Sequence, residues 1–194
     1  MQFFIGITIG ILISGLAWRM GSLSNSGAIG ATITGGLIFA FGGLPWGVLL
    51  LTFFISSSAL SKAFKVRKAN LSEKFSKGSR RDWGQVFANG GLGTILVLMS
   101  NAYPGESWIW FAYAGAMAAV NADTWATELG VLNPKHPRLI TTREVVEPGT
   151  SGGISVYGTL ATLGGAALIG LVGVMFSPPG DRWSFLLATT LGGS

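Results

Sequence analysis

The stretch SWIWFAYAGAMAAVNADTWATELG, residues 107–130, decides how this chain is read. Its first half is apolar enough for the interior of a bilayer, yet its last ten residues, NADTWATELG, carry Asp123 and Glu128. Ionisable groups in a membrane segment are costly, and by default they mark a functional site or a partnered interior position. The rest of the chain has to show that the solvent is a membrane and that the two carboxylates belong to chemistry.

Composition favours the membrane. Of 194 residues, 49% are hydrophobic and only 11% are charged, against about 25% charged in a soluble domain. The mean hydropathy is +0.54. The 30 glycines suit helices that must pack closely where lipid removes the hydrophobic drive between them. With no cysteine there is no disulfide, thiolate nucleophile or thiolate-bound zinc, and one histidine, His136, argues against a histidine metal centre. A net charge of +5 points at first sight to nucleic acid, but eight of the 13 basic residues fall in KAFKVRKANLSEKFSKGSRRDW, residues 62–83. A segment of that kind between apolar spans is a cytoplasmic loop rather than a nucleic-acid surface.

Apolar runs of roughly 17–25 residues are long enough to span. They predict helices over Phe3–Trp18, Gly27–Leu44, Trp46–Phe64, Gln85–Ala102, Ser107–Leu132 and Ile154–Phe176, with a further one starting at Trp183. The expected fold is all-α, a polytopic transmembrane helical bundle of about six spans plus the start of a seventh. It forms one integral membrane domain over residues 1–194, with cytoplasmic loops at about 65–84 and 133–153 and a C-terminus expected to be truncated. Basic residues occupy both long loops and are missing around Pro45 and over 103–106. By the positive-inside rule the N-terminus lies outside and both carboxylates lie near the cytoplasmic end of the fifth span.

Three constellations carry candidate chemistry. Asp123 and Glu128, with Asn121, Thr124 and Thr127 around them, are hard oxygen donors suited to Mg²⁺, which takes one or two carboxylates and completes its shell with water and phosphate. At about 100° per residue they stand about 140° apart on a regular helix; the alternative to a cation site, less favoured, is a pair of capping or snorkelling carboxylates near a helix end. In EPGTSGGISVYGT, residues 147–159, Gly149, Thr150, Ser151, Gly152 and Gly153 precede a helix start. Backbone N–H groups and a helix N-terminus make a phosphate cradle, although a Gly-rich helix start is also simply close packing. Arg80, Arg81 and Asn89 open the fourth span and suit an anion, and Arg143 in the second loop is a candidate phosphate clamp. Each basic residue has an alternative role in fixing topology.

Together ADTWATELG, TTREVVEPGTSGGISVYGT and RRDWGQVFANGG resemble a family of integral membrane proteins long labelled a domain of unknown function. That family includes the plastid phytyl-phosphate kinase of the vitamin E pathway and the animal transmembrane protein nineteen. The resemblance covers nearly the whole chain from Arg80 onward and, more loosely, the first three spans. It implies a membrane-embedded, Mg²⁺-dependent kinase that phosphorylates an isoprenoid (phytyl or prenyl) monophosphate to the diphosphate, with CTP as the favoured nucleoside triphosphate. It also implies that Asp123 and Glu128 form the acidic motif, that Asn89 belongs to an amide motif, and that Arg143, Glu147, Gly149, Thr150, Gly152 and Gly153 form the phosphate loop. Relatives of this type continue into another Gly-rich span, whereas here the chain ends at LGGS.

The expectation is an enzyme in the cell membrane with its site facing the cytoplasm. Asp123, Glu128 and Arg143 are its catalytic candidates, Asp123 and Glu128 its metal ligands, and Gly149–Gly153, Arg80, Arg81 and Asn89 its nucleotide and phosphate ligands. Its partners are a lipid monophosphate, a nucleoside triphosphate and membrane lipid. A transporter or channel also uses intramembrane carboxylates and Gly-broken helices, and a non-catalytic lipid-binding protein is a third reading. Against the transporter, the polar motifs gather at one face and no internal repeat is visible.

Overall fold

The computed structural model describes residues 1–64 and 80–194, so Lys65, Arg67, Lys68, Lys74 and Lys77 of the basic loop lie outside the described residues. Helix α1 spans Gln2–Arg19. A turn leads to α2, Asn25–Leu37, whose first turn is capped by the Ser24 hydroxyl accepting from Gly27 N–H at 3.0 Å. A π-helical turn, Ile38–Gly42, continues it. At Gly43 the backbone turns left-handed (φ 70°) and α3, Gly43–Ala63, begins. Pro45 therefore sits inside the first turn of α3, where its missing N–H has no helical partner to lose. The break between the second and third spans falls at Gly43 instead of at the proline.

Helix α4, Trp83–Ala102, opens with a capping box: Gln85 N–H donates to Asp82 Oδ1 at 2.9 Å and Asp82 N–H donates to Gln85 Oε1 at 3.1 Å. Helix α5 is Ser107–Gly130. Two short strands, β1 (Arg138–Leu139) and β2 (Gly153–Ile154), pair antiparallel in the loop that follows. Helix α6, Val156–Val174, is capped by Ser155, and after a 3₁₀ turn at Pro179–Asp181 the chain ends in α7, Arg182–Gly193. The 12 residues of α7 reach only about 18 Å at 1.5 Å per residue, short of a hydrocarbon core of about 30 Å.

The central element is α5, which runs along α6 and also touches α3, α4 and α7. Its inner face, Ile109, Tyr113, Ala114, Met117 and Ala118, is completely buried. On the other side α1 presses on α2. A Cβ built on Gly10 would lie 2.6 Å from Gly36 Cα, closer than real side chains approach, so only glycine lets these backbones meet.

Outside that apolar core, many large apolar side chains point outward while several small polar ones point inward. Leu12, Leu16, Ile29, Ile33, Ile55, Leu92, Leu160 and Leu171 are exposed, while Ser14, Thr34, Ser57 and Asn121 are buried. A soluble bundle does the reverse; helices apolar all round belong in lipid. Among the described residues, three helical stretches are apolar and long enough to cross a membrane by length and composition: Gln2–Arg19, Asn25–Ala63 and Val156–Val174. The second, at 39 residues, is the α2–α3 pair, two legs joined at Gly43. Helices α4 and α5, of 20 and 24 residues, are as long but more polar, because they carry Asn89, Asn101, Asn121, Asp123 and Glu128.

Candidate functional site

Between α5 and α6 the chain folds into a compact, hydrogen-bonded cap. Beyond the β1–β2 pairing, Val146 N–H donates to Pro137 O at 2.9 Å and Ile140 N–H to Gly152 O at 3.0 Å. Two tight turns follow in succession. Thr150 N–H donates to Glu147 O at 3.1 Å and Gly153 N–H to Thr150 O at 3.0 Å. In each, the third residue is a glycine with positive φ, Gly149 at 83° and Gly152 at 77°, as a type II turn requires; Pro148 takes the second position of the first turn, where its fixed φ suits it. The N–H groups of Gly149, Ser151 and Gly152 donate to no described residue. They are free to meet an anion.

These turns form one wall of a cleft of about 410 Å³. The opposite wall is the last part of α5 and its exit, with Asp123, Thr127, Asn133 and Lys135, and the floor is the start of α6 at Ser155, Gly158 and Thr159. The first turn of α6 closes on itself through Gly158 N–H to Ser155 Oγ at 3.1 Å, and its positive end adds to the attraction for an anion. The cleft therefore holds one carboxylate, one ammonium, several hydroxyls and unused backbone donors. A hard cation takes such a set together with phosphate oxygens; Asp123, Thr127 and Asn133 fit that role. Among the described residues no cluster of three or more acidic or histidine groups exists to hold a metal unaided.

Asp123 and Glu128 are not brought together. Asp123 is exposed to the cleft, whereas Glu128 is buried and its Oε1 accepts from Ser61 Oγ of α3 at 2.7 Å. The expected pair of metal ligands is divided, because five positions along a regular helix turn a side chain well away from its partner. Arg143 is also displaced. It stands exposed at the tip of the β1 turn in left-handed conformation (φ 61°), its carbonyl accepting from Arg138 Nη1 at 3.0 Å, and it does not line the cleft. The basic residue that does is Lys135, which the sequence offers only as one of several basic residues in the second long loop; its position between two prolines in NPKHP is the available signal. Gly149, Thr150, Ser151, Gly152 and Gly153 all line the cleft, and Glu147 does not.

Arg80, Arg81 and Asn89 lie elsewhere. Arg80 is exposed. Arg81 is strapped to the α1–α2 turn, its N–H donating to Ser22 O and its carbonyl accepting from Ser24 N–H, both at 3.0 Å. Its Nη1 donates to Ser58 Oγ at 2.6 Å, and the guanidinium carbon stands 5.6 and 5.5 Å from the ring centres of Phe53 and Phe54. Burial lowers its pKa, and the charge of Glu128 partly restores it. Arg81 and Asn89 line a separate cavity between α1, α2, α3 and α4.

One polar residue of the opening stretch turns out to be structural. Asn121 is completely buried; its Oδ1 accepts from Ser56 and Ser57 at 2.9 and 3.1 Å, and its Nδ2 donates to Gly165 O at 2.8 Å. It ties α3, α5 and α6 together.

The family described as Integral membrane protein DUF92 matches residues 8–194. Protein PGR of Arabidopsis thaliana is 35% identical over 183 residues, covering 88% of this chain and 63% of that protein. An uncharacterised membrane protein of Methanocaldococcus jannaschii is 36% identical over 176 residues, covering 90% of this chain and 71% of its own. An uncharacterised membrane protein of Synechocystis is 32% identical over 164 residues, covering 76% and 62%. The chain thus spans less than two thirds of the Arabidopsis and Synechocystis proteins. No solved structure matches. The chain belongs to the DUF92 family of integral membrane proteins.

Proposed function

We propose that this DUF92 membrane protein is a lipid-phosphate kinase, converting an isoprenoid monophosphate to the diphosphate with a nucleoside triphosphate, CTP foremost, at a site on the cytoplasmic boundary of the membrane. The observation that carries this reading is one cleft lined by Asp123, Lys135 and the turns at Gly149, Ser151 and Gly152, whose N–H groups donate to no described residue. Its volume of about 410 Å³ is in the range of small-ligand sites.

Phosphoryl transfer asks for positioning and charge neutralisation more than for covalent help. An oxygen of the lipid phosphate attacks the γ-phosphorus, the bond from that phosphorus to the β,γ-bridging oxygen breaks, and the nucleoside diphosphate leaves. The acceptor is already ionised, so no general base has to remove a proton. The turn N–H groups and the α6 N-terminus hold the polyphosphate, Lys135 places a point charge beside it, and the two turns keep those donors fixed. Asp123, with Thr127 and Asn133, would hold Mg²⁺, which neutralises charge on the transferring group when bound.

The test is direct. The reconstituted protein is given a prenyl monophosphate, Mg²⁺ and each of CTP, ATP, GTP and UTP, and the diphosphate is measured beside solute flux across the same vesicles. Prenyl diphosphate without flux supports the kinase. Flux with no diphosphate from any nucleotide overturns it in favour of a transporter.

A further inference from the structure

We infer that the turn between α1 and α2 holds the phosphate of an anionic phospholipid, gripped between Lys62 and Arg80, in the leaflet on the basic side of the membrane. The site shares no residue with the cleft between α5 and α6, and it does not depend on the reaction that cleft performs.

The first observation is convergence. Residues 62 and 80 stand eighteen positions apart, at the start and near the end of the basic segment, yet both side chains return to one peptide unit. Lys62 Nζ, from the last turn of α3, donates to Met20 O at 2.9 Å. Arg80 lies over the next residue, since a Cβ built on Gly21 would meet its Nε and its Nη2 at 3.7 Å. Backbone bonds fix the approach: Arg81 N–H donates to Ser22 O and Ser24 N–H to Arg81 O, both at 3.0 Å. Arg19 adds a further cation in the last turn of α1. Like charges crowded round one turn repel unless an anion lies among them.

Nothing among the described residues answers that charge. A helix C-terminus welcomes cations through its unmet carbonyls, but α1 closes on itself. With Gly21 at φ 71°, Gly21 N–H donates to Trp18 O and Ser22 N–H to Ala17 O, both at 2.9 Å, the two bonds of a Schellman end. Arg81 is answered by Glu128. The end of α1 counts for about half a negative charge and Asp82, which caps α4, for one more. Against Arg19, Lys62 and Arg80 this leaves more than one positive charge over. Neither the Arg19 nor the Arg80 side chain makes a hydrogen bond or ion pair with any described residue, and Lys62 keeps two donors in hand. The positive-inside rule accounts for basic residues on this side of the membrane. It does not ask two of them to bend back to the same turn.

Depth names the anion. Trp18, Met20 and Trp83 are exposed on the residues that flank the turn. Trp18 Nε1 donates to Asn25 Oδ1 at 2.7 Å, and the Trp83 ring stands 6.0 Å from that of Phe87. Indoles, apolar in body and polar at one edge, sit at the level of lipid headgroups, and an anion met at that level is a headgroup phosphate. A zwitterionic head would bring its own ammonium beside Lys62, so the site selects lipids of net negative charge. The bound lipid bridges the end of α3 and the start of α4 across the end of α1, and it tightens their packing.

The experiment is native mass spectrometry of the purified full chain titrated with phosphatidylglycerol or phosphatidylcholine, beside thermal melting in nanodiscs of each lipid. The variants are Lys62→Gln, Arg80→Gln and the two together, with Arg143→Gln, an exposed arginine of the other loop, as the control for charge in general. A basic residue near the surface is worth roughly fivefold in affinity for anionic lipid. Tight phosphatidylglycerol binding is expected to fall by about that factor in Lys62→Gln and in Arg80→Gln, further in the double variant, and to hold in Arg143→Gln. Phosphatidylglycerol raises the melting temperature of the wild type above its value in phosphatidylcholine, and the double variant loses that gain. Inorganic phosphate does not displace the lipid.

Equal binding of both lipids by the wild type overturns the inference. So does a loss in Arg143→Gln as large as in Arg80→Gln, which reduces the effect to general charge, and so does displacement by inorganic phosphate, which makes the occupant a free anion. Should the double variant not fold in phosphatidylcholine, Arg80→Gln alone decides, because that side chain has no hydrogen bond to a described residue to lose. Failure of the kinase assay leaves this site standing, and loss of this site leaves the kinase reading standing.

Discussion

Replacing Gly152 tests the phosphate cradle at its narrowest requirement. The residue holds φ at 77°, and a Cβ there would meet only Leu139 Cδ2 at 3.8 Å, an ordinary contact. Space is therefore not the obstacle; backbone conformation is. Left-handed geometry costs an L-residue roughly 1–2 kcal/mol, which at about 1.4 kcal/mol per tenfold is a factor of about 5–30 in the population of the competent turn. Gly152→Ala is expected to lose about that much affinity for a non-hydrolysable nucleoside triphosphate analogue. Gly152→Val is expected to lose more, since a β-branched residue is a true outlier at positive φ. Gly152→Asn, which tolerates this region, is expected to stay nearer to glycine. The order Gly, Asn, Ala, Val would be read by equilibrium binding in nanodiscs with Mg²⁺, with thermal melting as the control for the bundle. Because the turn lies outside the helices, melting should barely move. Equal affinity in the Asn and Ala variants, or full affinity in Val, would refute the reasoning.

Asp123→Asn is expected to lower diphosphate formation more than tenfold, about 1.4 kcal/mol of barrier, with melting preserved, whereas Glu128→Gln lowers stability because that carboxylate is buried against Ser61; the reverse pattern contradicts their placement. Lys135→Ala should weaken nucleotide binding while Arg143→Gly leaves it intact and relieves the left-handed backbone at φ 61°, and a loss in Arg143→Gly alone would restore the arginine clamp. Asn121→Leu removes three hydrogen bonds, each worth about 0.6 kcal/mol on average between membrane helices, so denaturant unfolding should show a loss of about 2 kcal/mol, and an unchanged midpoint would dismiss its role as a tie. Cysteines placed at Thr141 and Gly105 should label from opposite sides of the membrane; labelling from one side breaks the topology.

Much of this was legible from local pattern. Helix starts at Ser24, Asp82 and Ser155 follow from side chains that cap the backbone beside them, and the glycine turns at 149 and 152 follow from left-handed geometry that only certain residues accept. These are interactions between near neighbours, and sequence order holds them. Gln85 shows the limit: an amide at a helix start beside two arginines suits an anion by residue type alone, yet it is the second half of a capping box, because its nearest unmet donor is its own helix end.

What the sequence determined by itself was the solvent, the all-α class and the two glycine turns of residues 147–153, since composition, run length and turn chemistry are properties of short stretches. Which polar groups share a space was decided only by the tertiary structure. Asp123 and Glu128 are neighbours in sequence and serve different surroundings, while Glu128 meets Ser61 across 67 positions and Arg81 feels its charge. Arg143 and Lys135 are both basic residues of one loop, yet the β1–β2 pairing turns one outward and leaves the other at the cleft. In a membrane, where apolar faces point both ways, periodicity cannot tell the inside of a helix from its outside; the direction of each side chain comes from helix packing, and packing is a relation between distant parts of the chain.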